Sequence, residues 1–103
     1  MSNKRNNLGT LSVNGFSVYG IPIKVRKNQP VVFYIEYDFA TASYFVEDQD
    51  LGICAYSNKK ESMLRELNDN LAMVWTNYAK EKNKNLTPDA ITIKKNLLKT
   101  FKE

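Results

Sequence analysis

Val31-Val32-Phe33-Tyr34-Ile35-Glu36-Tyr37-Asp38 is the stretch that decides how this chain is read. β-Branched and aromatic residues dominate it, and these fit a pleated, half-buried surface. Successive side chains of a strand point to opposite faces. Phe33, Ile35 and Tyr37 therefore share one face, and Val32, Tyr34, Glu36 and Asp38 share the other. Asn28-Gln29-Pro30 makes a turn before this strand, and Ala40-Thr41-Ala42 is small and turn-like after it. Ser43-Tyr44-Phe45-Val46-Glu47 reads as the next strand, Asp48-Gln49-Asp50 as a loop, and Leu51 to Tyr56 as a short apolar piece leading into a helix.

Upstream, Leu11, Val13, Phe16, Val18, Ile21, Ile23 and Val25 mostly alternate with polar or small residues, which predicts further strands. Asn14-Gly15 between the first two runs is a hairpin signal, because a tight two-residue turn needs positive φ at both positions. Pro22 cannot donate to a ladder, so its strand is expected at an edge, a bulge or a break. Residues 1–8 read as a frayed, Asn-rich start.

Downstream, two helices are signalled. Asn58 with Glu61 three residues later forms an Asx variant of the capping box, predicting a helix from about 59 to 82. Leu64, Leu67, Leu71, Trp75 and Tyr78 recur at spacings of three and four, and Leu64, Leu67, Leu71 and Trp75 of this stripe are assigned to the core. After a polar linker at 83–86, Thr87 is a good N-cap, with Pro88 in the first helical position. Ala90, Ile93, Leu97 and Phe101 supply the apolar face of the second helix, widened by Ile91 and Leu98.

The expected fold is a single α+β domain over 1–103. It has an antiparallel sheet of four or five strands, one long helix packed on a face, and a short C-terminal helix. A 103-residue chain that is 43% hydrophobic and 25% charged suits one modest core, not a disordered chain or a collagen. It has no histidine and one cysteine, Cys54. That removes Ser-His-Asp and Cys-His catalysis, His-ligated metals and an internal disulfide. No apolar run approaches a membrane span, and nothing at the N-terminus resembles a signal peptide. With one unpaired cysteine, a reducing, cytoplasmic setting is the expectation.

The net charge of +4 is unevenly spread. Residues 1–30 hold five bases and no acid, and residues 31–50 hold five acids and no base. Adjacent strands of opposite sign would pair internally; a dedicated polyanion site is the other reading. Lys24 and Arg26 share a strand face and, with Lys27 and the aromatics Tyr34, Tyr37, Tyr44 and Phe45, make a candidate nucleic-acid surface. Solvation of the lysines and core packing of the rings is the plainer account. Glu36, Asp38, Glu47, Asp48 and Asp50 resemble a Mg²⁺-type carboxylate cluster but lack a histidine or lysine to complete it, so no metal or other cofactor is expected. Cys54, in an apolar run, reads as buried and inert.

One resemblance adds a partner. From Val31 to Trp75 the order is a strand, a second strand, the acidic turn Glu47-Asp48-Gln49-Asp50-Leu51-Gly52-Ile53-Cys54, then a leucine-bearing helix, Glu61-Ser62-Met63-Leu64-Arg65-Glu66-Leu67. This resembles the HicB-like antitoxin domain over about 45 residues. The resemblance implies an incomplete ribonuclease-H-type sheet under a helix, not an enzyme. It also implies a role in binding a small basic ribonuclease toxin and covering its active site, with self-association common. On that reading Glu36, Asp38, Glu47, Asp48 and Asp50 are the partner-binding candidates, since an acidic surface suits a basic partner. Nucleic-acid binding through Lys24, Arg26 and Lys27 is the alternative.

Overall fold

The computed structural model describes residues 5–103, with side chains from Leu8 onward. The chain is α+β, as expected, but its strands divide into two antiparallel sheets. β1 (Arg5–Val13), β4 (Val31–Asp38), β5 (Ser43–Asp48) and β6 (Ile53–Ser57) form the large sheet, in the order β1-β4-β5-β6. β2 (Gly15–Val18), β3 (Ile21–Val25) and β7 (Phe101–Lys102) form the small one, in the order β2-β3-β7.

The division happens at Asn14-Gly15, where a hairpin was expected. β1 pairs not with β2 but with β4, from Arg5 opposite Asp38 to Val13 opposite Val31. The chain then crosses to the small sheet. The glycine is needed there for close approach, since a Cβ on Gly15 would lie 2.4 Å from the Ile23 carbonyl oxygen. The real hairpin is β2–β3, closed by Tyr19 (φ 50°) and Gly20 (φ 82°), both in the left-handed region that a type I′ turn requires. The Val25 N–H donates to the Asn14 carbonyl at 3.0 Å. Counting along the ladder from that bonded pair, Ser17 and Pro22 form a non-bonded pair. Proline's missing N–H therefore costs no ladder bond.

Three further expectations change. Arg5 to Leu8 are not frayed but belong to β1; residues 1–4 lie outside the described residues. The apolar piece after Asp50 is a strand, β6, with Ile53 and Ala55 buried and Cys54 and Tyr56 exposed. The Asn58 capping box does not form. Instead the Ser57 hydroxyl accepts from the Lys59 N–H at 3.1 Å, and a 3-10 turn over Lys60–Ser62 leads into α1 (Met63–Val74). The helix widens into a π turn over Trp75–Ala79 and stops short of 82.

The buried face of α1 is Met63, Leu67, Leu71 and Val74, continued by Trp75 and Ala79. Leu64, assigned to the core from the leucine spacing, is instead 57% exposed. One residue round the helix is about 100°, and Met63 holds the inward position. α1 packs against β5 and β6 on one side and β2 on the other. Asn70 accepts the Cys54 N–H at 3.0 Å, so the helix also covers a donor on the free edge of β6.

α2 (Pro88–Thr100) starts as expected, with the Thr87 hydroxyl accepting from the Ala90 N–H at 3.2 Å. It docks on its own chain, against the π turn. Phe101 ends the helix and begins β7, fully buried; its ring meets Phe16 edge-on at 5.1 Å, and Phe16 meets Trp75 at 6.0 Å. These rings join the small sheet to the core beneath the large one.

Candidate functional site

The large sheet has a covered face and a bare one. The inward set includes Val13, Phe33, Ile35, Val46, Ile53 and Ala55, all buried. Alternation sends the intervening residues outward. Strand register groups them: Thr10 opposite Tyr34 and Ser12 opposite Val32, then Glu36 opposite Phe45, Phe45 opposite Tyr56, and Glu47 opposite Cys54. Val32 (45%), Tyr34 (59%) and Tyr56 (62%) are large apolar side chains left open on this face. Phe45, half-buried, lies against Tyr56 with ring centres 5.7 Å apart. The result is an aromatic surface with carboxylates set into it.

The five candidate carboxylates do not form one cluster. Glu36 and Glu47 stand on the aromatic face. Asp38 stands at its end, where it accepts the Ala40 N–H at 2.9 Å and shapes the β4–β5 turn; Arg5 lies opposite it in the ladder. Asp48 and Asp50 are at the other end of the β5–β6 hairpin. Asp48 accepts the Leu51 N–H at 3.2 Å, and the Asp50 carbonyl accepts from the Asn96 amide of α2 at 2.8 Å. Lys99 lines the same hollow as these two aspartates. Among the described residues, no three Asp, Glu or Cys side chains converge as a metal-holding group.

Cys54 is exposed, contrary to its sequence reading, because the alternation of β6 turns it outward between buried Ile53 and Ala55. Its Sγ is 3.9 Å from a Glu47 carboxylate oxygen. A neighbouring anion is the opposite of the electropositive setting that a reactive thiolate needs.

The basic residues and the rings of the nucleic-acid alternative lie on different sheets. Lys24 faces outward from the small sheet, directly opposite Lys102. Arg26 turns onto α2, where its Nε donates to the Leu98 carbonyl, and Lys27 is exposed beyond it. Tyr37 and Tyr44 point to the inward side and pack edge-on at 4.9 Å, leaving only Tyr34 and Phe45 of the four rings on the outer face. Val32 and Tyr56 are the outer-face residues that sequence reasoning did not single out. The signal for Tyr56 was the period-two pattern of Ile53 to Ser57, visible once that stretch is read as a strand.

No helix among the described residues is long and apolar enough to cross a membrane. Set beside protein-family models, curated proteins and solved structures, the chain gives no match in any of the three comparisons.

Proposed function

We propose that this chain is a non-catalytic, antitoxin-like protein-binding module that docks the outer face of its large sheet on a small basic ribonuclease and occludes it. One observation carries the reading: the sheet opposite α1 exposes Val32, Tyr34 and Tyr56 around Phe45, with Glu36 and Glu47 among them. Aromatic residues are enriched in the centres of protein interfaces, and contiguous exposed apolar surface marks interaction sites. The carboxylates favour a basic partner and speed its approach. The choice of a ribonuclease rests on the resemblance of residues 31–75 to HicB-like antitoxins.

The test is capture of partners from the native cell by tagged protein, followed by reconstitution. A small basic protein whose ribonuclease activity falls on adding this chain supports the reading. Tyr34→Ala with Tyr56→Ala should then weaken the complex at least about tenfold, as truncation of buried aromatic anchors does, while the circular dichroism spectrum stays the same. Recovery of nucleic acid alone overturns it. That result would favour a second reading, for which the outward Lys24–Lys102 pair is the supporting observation.

A further inference from the structure

The free edge of β6 and the adjoining flank of α1 enclose an open groove of about 370 Å³. Cys54, Ala55 and Tyr56 form its strand side, and Glu66, Asp69, Asn70 and Met73 its helix side. Its role is independent of the function proposed for the outer sheet face.

Backbone direction makes this edge a template for a further strand. Cys54 donates its N–H to the Asn70 side chain, away from β5, so Cys54 and Glu47 are a non-bonded pair of the ladder. Tyr56 is two residues on and has the same parity, so its N–H and C=O also point away from β5, to the groove side. Among the described residues no strand pairs with this side of β6. The Asn70 amide oxygen takes the place that a carbonyl of an added strand would occupy. Sheet edges are commonly blunted by a bulge, a proline or a lysine. β1, the other edge of the large sheet, has a register shift between Asn7 and Gly9. β6 runs from Ile53 to Ser57 in even register and has none of the three devices.

Charge and shape select the occupant. Glu66, Asn70 and Met73 are three or four residues apart and share one flank of α1, with Asp69 beside them. The lining has two carboxylates and no base, and among the described residues neither carboxylate makes an ion pair. Met73, 49% exposed, adds apolar surface next to them. An added strand turns alternate side chains toward the helix and the others toward the outer face beside Tyr56. We infer that this groove takes an extended, basic peptide segment of a partner protein as a fifth strand of the large sheet, its main chain bonded to Cys54 and Tyr56 and its cationic side chains set on Glu66 and Asp69.

The probe is an end-blocked peptide of about eight residues, a common strand length, that alternates arginine and valine. Added to the full chain labelled with nitrogen-15, it should bind saturably, move the Cys54 and Tyr56 amide signals and slow hydrogen exchange at Tyr56. The same peptide with glutamate in place of arginine should bind at least about tenfold more weakly. So should one N-methylated throughout its backbone, which keeps the charge and loses the strand bonds. Glu66→Lys with Asp69→Lys should reverse the preference between the arginine and glutamate peptides while the spectrum stays dispersed. The inference is overturned by absence of saturable binding, by equal affinity for the arginine and glutamate peptides, or by full binding of the N-methylated one. Shifts confined to Val32 and Tyr34 would place the peptide on the outer face and overturn it too. So would slow exchange at Tyr56 without peptide that is lost on dilution, which would give the edge to a second copy of this chain.

Discussion

The two sheets obey the same period-two rule and end with opposite surfaces. The large sheet turns Glu36 and Glu47 outward among aromatic rings, and the small sheet turns Lys24 and Lys102 outward with no ring between them. Their inward faces meet in one core, through Phe33 and Val46 on one side and Phe16, Ile23 and Phe101 on the other. The charge segregation of the sequence thus becomes a spatial one. Of the N-terminal bases, Arg5 is on β1, which runs beside acidic β4, whereas Lys24 is on β3, which does not, and Arg26 and Lys27 follow it. An even net charge says little about a surface; the strand that a charge belongs to decides which field it contributes to.

The largest effect should come from breaking the joint between the sheets. Phe101→Ala removes a fully buried ring that meets Phe16 edge-on. It should cost about 3–5 kcal/mol in chemical denaturation. Because the core is shared, both sheets should lose amide protection in one transition; separate transitions would show two independent units. Next, Leu67→Ala should cost about 2–5 kcal/mol, whereas Leu64→Ala should stay within about 0.5 kcal/mol. Equal losses would restore the leucine stripe as the core face.

At the crossing between sheets, Gly15→Ala forces a Cβ onto the Ile23 carbonyl and should cost about 1–3 kcal/mol by thermal melting. Lys102→Glu places opposite charges across the β3–β7 ladder. It should stabilise by about 0.2–1 kcal/mol, and the gain should shrink as salt is added. An unchanged melting temperature would mean that the small sheet does not sense its own surface charge.

The smallest effect concerns Glu103. The Lys80 ammonium holds its carboxyl below the usual carboxylate range, and the Trp75 indole adds to this. A lowered folded-state pKa means that the folded state keeps the charged form more readily than the unfolded chain does. That contribution is present above the unfolded value of about 4.3 and is lost as pH falls through the folded one. Glu103→Gln should therefore flatten the acid side of the stability curve slightly, with a small loss at neutral pH and almost none at the acid end. A steeper acid slope in the variant would reverse the sign.

β4 was legible to the residue, with Val31–Asp38 and both its faces read from alternation alone. α2 was nearly so, because Thr87 and Pro88 write its start in local chemistry. β6 was missed because five residues next to a helix signal carry too little period to separate strand from helix. Of the site, the outward direction of Glu36 and Tyr34 was readable from the sequence. That Asp48 and Asp50 stand apart from them was not, since this depends on which end of the β5–β6 hairpin meets α2.

The sequence by itself determined the element types, the polarity of each strand face and the cap of α2, because these depend on neighbours a few residues away. Only the tertiary structure decided which strand follows which. Asn14-Gly15 is a turn signal in one dimension and a crossing between sheets in three, because β1 gains more by pairing along the whole of β4 than by folding back on the four residues of β2. The same long-range packing chose Met63 over Leu64 for the core, turned Cys54 out, and set Trp75 beside Lys80 and Glu103.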